Sequence, residues 1–224
     1  MAKHLDLEEQ EQLDQIKHFW AQYGNLISWV LIVVFGSFAA WNGWNYWQRS
    51  QASQASALYE EVERASLAND VDKVERAFAE LKNGYGGTAF AAQGALLAGK
   101  VLSDAGKPDA ARGALEWVAE KGADDALQAV AALRLAGMDI EKQSYDQAMT
   151  RLNSAMPAAF AGLVADRKGD VLLAQGKGEE AKEQYLAAWK ALGDRVEYRQ
   201  LVEVKLASLG VDVSTLSTAA EVAR

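Results

Sequence analysis

The chain has 224 residues, a formal net charge of −8, two prolines and no cysteine. That length has room for one helical domain of ordinary size plus an appendage. Without cysteine there is no disulfide, thiolate nucleophile, thiolate metal site or lipoprotein anchor, and the acidic balance repels phosphate backbones and disfavours nucleic-acid binding. Beyond residue 50 the sequence is dominated by Ala, Leu, Glu, Gln, Lys and Arg, which lose little side-chain entropy in a helix, and β-branched runs are nearly confined to Val30–Val34. An all-α protein is predicted.

Residues 1–22 carry Lys3 and Lys17 against Asp6, Glu8, Glu9, Glu11 and Asp14, with Leu5, Leu13, Ile16 and Trp20 at helical spacing. They read as a short acidic segment, an amphipathic helix or a solvated tail. Between Lys17 and Arg49 there is no Asp, Glu, Lys or Arg, and residues 23–48 are predicted to cross a membrane. As a helix, Leu26–Trp47 rises about 33 Å, enough for a hydrocarbon core of about 30 Å. Five of the seven tryptophans lie at this segment, with Trp20 and Trp29 toward one end and Trp41, Trp44 and Trp47 toward the other, as headgroup-level aromatic belts require. Ala55-Ser-Ala57 has the spacing of a signal-peptidase site, but the leader before it is long and acidic, which predicts an uncleaved signal anchor. Lys3 and Lys17 before the span nearly balance Arg49 and Arg64 after it, so charge alone does not orient the helix. No Pro or Gly separates Trp44 from Leu67, so the helix is expected to run on unbroken.

Residues 49–210 contain a repeat. Gly106-Lys-Pro-Asp-Ala-Ala111 leads to Leu115, Gln143-Ser-Tyr-Asp-Gln-Ala148 to Leu152, and Gly176-Lys-Gly-Glu-Glu-Ala181 to Tyr185; Asn69-Asp-Val-Asp-Lys-Val74, leading to Phe78, is a degenerate copy. Positions 74, 111, 148 and 181 are 37, 37 and 33 residues apart, the interval of a helical hairpin. In each unit a small residue, Gly99, Ala136 or Gly169, precedes the small Ala111, Ala148 or Ala181 by 12 residues, so two helix axes can approach closely while Leu102, Leu115, Leu172 and Tyr185 fill the flanks. One hairpin cannot cover both its faces; stacking on the next supplies the missing core. Asp194–Leu209 is predicted to form a capping helix through Val196, Leu201, Val204 and Leu209, and 211–224 a tail, loose or docked by a last turn.

Lys168-Gly169-Asp170-Val171-Leu172, followed by Gly176, Ala181, Tyr185 and Ala188, resembles the tetratricopeptide consensus, with Ala165 in place of its tryptophan. The implied fold is a right-handed α-solenoid of about four hairpins behind a single transmembrane helix. The whole plan, with Phe19-Trp20-Ala-Gln-Tyr23-Gly24-Asn25 and Gly43-Trp44-Asn-Tyr46-Trp47 around the anchor, resembles the ancillary SecYEG translocon subunits, the YfgM-like family of bacterial inner-membrane proteins. That resemblance implies a cytoplasmic N-terminus, a periplasmic repeat domain, association with the SecYEG translocon and the membrane-anchored chaperone PpiD, and a non-catalytic role in handling unfolded secretory or outer-membrane proteins as they emerge. It also implies a concave surface lined by the first helix of each hairpin: Gln93, Leu96, Lys100 and Ser103, then Val130, Leu133 and Ile140, then Leu163, Asp166, Asp170 and Leu173. An adaptor for another envelope assembly, such as a division or cell-wall complex, is the alternative.

Chemistry is sparse. The two histidines, His4 and His18, precede the anchor. Asp124-Asp125 and Glu179-Glu180 fit helix starts, where acids meet the positive end of the dipole, better than acid–base or calcium sites. Gly84-Tyr-Gly-Gly-Thr88 lacks the Lys-Ser/Thr ending of a phosphate loop and reads as a helix stop with Thr88 as the next N-cap. No cofactor, metal site or catalytic residue is expected, and partners are the lipid bilayer and other proteins.

Overall fold

The computed structural model describes residues 7–193 and 197–213, and among these every regular element is helical. The chain divides into two units, residues 1–51 and 52–224.

The first unit consists of the greater part of α1 (Leu7–Leu67). Its apolar side chains from Leu26 to Trp47 stand open, with Phe35 and Trp41 about two-thirds exposed (66% and 67%). A helix that is apolar all round and packed on nothing in its own unit has found no aqueous solution to its side chains, whereas hydrocarbon satisfies them. Among the described residues it is the one helix long and apolar enough to cross a membrane. Asn42 interrupts the apolar run, but its side-chain amide donates to the Phe38 carbonyl at 2.9 Å and so is satisfied within the helix.

In the second unit the last turns of α1 form the first helix of a hairpin and bury Ala55, Val62 and Ala65. The helix does run unbroken from Trp44 to Leu67. Three more hairpins follow α2 (Val71–Tyr85): α3 (Ala89–Asp104) with α4 (Pro108–Lys121), α5 (Asp125–Glu141) with α6 (Tyr145–Leu152), and α7 (Ala161–Ala174) with α8 (Gly178–Leu192). A 3-10 turn at Ala158–Phe160 precedes α7, and α9 (Tyr198–Ser208) closes the array. From α2 to α9 each helix packs on the next, and α3 with α5 and α5 with α7 pack one hairpin on the next.

The turns explain the sequence period. Asn69, Gly106, Gln143 and Gly176 all have positive φ, between 53° and 78°. The next residue's N–H in each case reaches back five positions to its helix, Asp70 to Ala65, Lys107 to Leu102, Ser144 to Asp139 and Lys177 to Leu172, at 2.8–3.0 Å. This is the left-handed stop that satisfies the last helical carbonyls. The helix starts are equally local. Lys73 N–H donates to the Asp70 carboxylate (3.1 Å), Ala91 N–H to Thr88 Oγ1 (3.3 Å) and Leu127 N–H to the Asp124 carboxylate (2.9 Å). Thr88 and Asp124 therefore serve as the caps expected of them, and Glu179 and Glu180 occupy the first turn of α8.

The paired small residues hold the hairpins shut. A Cβ on Gly99 would stand 3.1 Å from Leu115, and one on Gly169 only 2.5 Å from the Tyr185 ring, so α7 and α8 are as close as glycine permits. Gly169→Ala is expected to lower stability by about 1–3 kcal/mol through overpacking, measured as the shift of the urea midpoint at unchanged slope. Gly137→Ala, whose nearest neighbour is the tip of Arg167 at 3.8 Å, serves as the control without loss.

One expectation is corrected. α9 does cover the last hairpin, but through Val202 and Leu206, both fully buried, with Tyr198 and Leu209 half-buried beside them. Leu201 and Val204 face outward, 46% and 66% exposed. The rotation of the helix is set by Lys205, which points inward between Val202 and Leu206 to two carboxylates on α7. Val196 lies outside the described residues, as does the tail beyond Val213; Val211 and Val213 rest against the last core cluster.

Candidate docking surface

The first helices carry the residues expected at a concave face, and the structure sorts them into three groups. On α3, Gln93, Lys100 and Ser103 are exposed, with Lys100 paired to Asp104 one turn on at 2.7 Å. On α7, Leu173 is 41% exposed. Val130, Leu133, Ile140 and Leu163 are half-buried: Val130 packs on the core of the first hairpins, and Leu133 and Ile140 on that of the middle ones.

Leu96 and Asp166 are not surface residues. Leu96 keeps only 8% of its exposure because its position on α3 falls on the stripe shared with Ala92, Ala95 and Gly99. Its carbonyl accepts a 2.7 Å hydrogen bond from Arg134 on α5, an exposed residue of the same face that sequence reasoning passed over. Asp166 is fully buried, and Asp170 is half-buried. Both carboxylates bind Lys205 of α9, at 2.8 and 2.7 Å. Tyr198 Oη donates to Asp166 at 2.6 Å and Tyr185 Oη to Asp170 at 2.8 Å, while Arg167 lies 3.2 Å from Asp170. The two acids are therefore the seat of the cap rather than part of an open face.

A second buried acid lies in the middle of the array. Asp139 on α5 is fully buried and is held by Arg112 of α4 and Arg151 of α6, each at 2.8 Å, with Glu116 3.3 Å from Arg151. A carboxylate among Leu135, Ala136 and Ile140 is tolerable only because two cations arrive from the neighbouring helices. The signal was present as an acid on the apolar stripe of α5, but its partners lie 27 and 12 residues away in sequence.

Burial, with the hydrogen bonds and charge of Asp170 and Asp166 added to it, pushes the Tyr185 and Tyr198 phenols far above the ordinary phenol range. Burial and Glu63 raise Tyr59 as well. The neutral phenol is the donating form, so this contribution to stability is complete below pH 10 and is lost as pH rises past the unfolded value. On titration followed at 295 nm, Tyr185 and Tyr198 are expected to stay un-ionised past the ordinary phenol range and to ionise together with loss of the helical signal. Full ionisation of all seven tyrosines near pH 10, with the fold intact, would contradict the buried placement.

Among the described residues no group of three or more His, Cys, Asp or Glu is arranged to hold a metal ion. The buried carboxylates are neutralised by partners from other helices, so their chemistry is that of joints between hairpins. The first helices leave Gln93, Lys100, Ser103, Arg134 and Leu173 exposed. These features define a helical-repeat protein with, among the described residues, one candidate membrane-spanning helix.

Comparison with known proteins identifies the kind. Residues 17–211 match the family described as a tetratricopeptide repeat-like domain. The chain is 33% identical over 210 residues to the ancillary SecYEG translocon subunit of Neisseria gonorrhoeae, covering 93% of this chain and 100% of that one. It is 28% identical over 186 residues to the ancillary SecYEG translocon subunit of Escherichia coli (82% and 86% covered), and 29% identical over 203 residues to that of Aggregatibacter actinomycetemcomitans (91% and 98%). The chain belongs to this tetratricopeptide repeat-like family of ancillary SecYEG translocon subunits. No solved structure matches it significantly.

Proposed function

We propose that this protein is a non-catalytic scaffold of the bacterial inner membrane, anchored by residues 23–48, that joins the SecYEG translocon to a membrane-anchored periplasmic chaperone of the PpiD kind. The N-terminus is cytoplasmic and the repeat domain of residues 49–210 periplasmic. The observation that carries the reading is the likeness, along nearly the whole chain, to relatives named as translocon subunits. The exposed members of the first-helix face, Gln93, Lys100, Ser103, Arg134 and Leu173, together with the half-buried Leu133 and Leu163, would be the contact surface for the chaperone or for unfolded secretory and outer-membrane proteins. Mixed apolar and charged groups on a rigid array suit capture of varied chains.

Purification of the intact protein from mildly solubilised membranes tests this. Enrichment of SecYEG and of a periplasmic chaperone is expected; enrichment of a division or cell-wall complex in their place would defeat the assignment. The natural absence of cysteine makes topology equally direct. A lone cysteine placed at exposed Glu183 is expected to react with a membrane-impermeant maleimide in intact spheroplasts, and protection until the membrane is opened would reverse the orientation.

A further inference from the structure

The groove that seats α9 is chemically unlike the approach of α3 to α4. Small apolar residues line the approach of α3 to α4, whereas the terminal groove between α7 and α8 holds two carboxylates, a tyrosine and a tryptophan, all engaged by one 11-residue helix. Lys205 reaches Asp166 and Asp170, Tyr198 donates to Asp166, and Trp189 Nε1 donates to Glu203 at 2.8 Å. Arg199 stacks over the Trp189 ring at 4.1 Å, and Val202 and Leu206 supply the fully buried apolar contact. The anchors fall at positions 198, 202, 205 and 206, the i, i+4, i+7, i+8 register by which an amphipathic helix is read in a groove.

We infer that the α7–α8 groove is a second protein-binding site, specific for an amphipathic helix that carries a lysine between two apolar anchors, and that α9 is its ligand in cis. A cap needed only to shield Leu172, Tyr185 and Ala188 would be served by apolar contact. A buried pair of acids adds little to stability over such contact, but it rejects any helix without a cation at the right place. Asp139 differs in this respect, because both of its cations belong to inner helices of the array and none to its end. α9 is also short enough to depend on the groove for its own helicity, and its outer side, Leu201 and Val204, makes no use of the array. An incoming helix of matching pattern therefore competes with α9 for the same seat, and its apparent affinity is reduced by the fraction of time α9 occupies it. The site is separate from the face formed by Gln93, Lys100 and Leu173, and its existence does not rest on the translocon assignment.

The probe is a fluorescent synthetic peptide of residues 197–213, titrated by anisotropy against the full-length protein in detergent. Against Val202→Asp, Leu206→Asp, which cannot seat its own α9, binding at least tenfold tighter than to the unaltered chain is expected. That binding should be lost when the peptide carries Lys205→Met or when the protein also carries Asp166→Asn and Asp170→Asn. Equal binding to both proteins, or binding indifferent to Lys205, overturns the inference. If the double variant fails to fold, hydrogen exchange on the unaltered protein decides: α9 exchanging before α7 and α8 supports a seat that opens, and α9 exchanging only with the whole array refutes it.

Discussion

Lys205→Met is expected to weaken the end of the array by about 3–5 kcal/mol, the cost of stranding a buried carboxylate without its counter-charge. Asp166 is fully buried and Lys205 bridges it to Asp170 at 2.8 and 2.7 Å, so removing the ammonium leaves two acids facing each other with only Tyr198, Tyr185 and Arg167 to support them. The loss should appear first as faster amide exchange in α9 and then as an earlier thermal transition by circular dichroism. Adding Asp166→Leu and Asp170→Leu to the same chain should recover most of it, since an apolar pair of similar volume is often as stable as a buried ion pair. A change below 1 kcal/mol in the single variant would mean that the cap is held by Val202 and Leu206 alone.

The second large effect lies in the middle of the array. Arg112→Met together with Arg151→Met removes both cations from Asp139, and about 3–5 kcal/mol should again be lost. Here the damage spreads along the solenoid, because the three groups belong to α4, α5 and α6 and link the second hairpin to the third. Either single change should cost less than half as much, since the other arginine stays at 2.8 Å, and the triple variant with Asp139→Leu should approach the unaltered protein. Urea unfolding of each variant at fixed detergent separates these outcomes. Equal losses in the single and double variants would show that the two arginines do not share one charge.

The local rules carried most of the architecture. The 37- and 33-residue intervals are the distances between left-handed helix stops at 69, 106, 143 and 176, and those stops arise from short-range hydrogen bonds that any reader of Asn, Gly and Gln before a polar turn can anticipate. The apolar run at 26–47 and the small pairs 99/111 and 169/181 were legible for the same reason, being matters of spacing along one or two helices. What failed was rotation about a helix axis where a long-range charge decides it. Leu201 and Val204 seemed the buried side of the cap until Lys205 is seen to face Asp166, 39 residues away. Asp166 and Asp170 looked like solvent-facing acids for the same reason, and Asp139 drew no notice because its partners come from other hairpins. Leu96 was assigned to the surface although Ala92, Ala95 and Gly99 mark its stripe as core.

Residue-by-residue photo-crosslinking in living cells bears most directly on the account, in which the first helices of the hairpins present the surface that meets other proteins beside the translocon. Probes at Gln93, Lys100, Ser103 and Leu173 should capture translocon, chaperone or secretory chains, and probes at Glu183 and Lys190 on α8 should not. Crosslinks confined to α8, or none from either set in a protein that still folds, would contradict it.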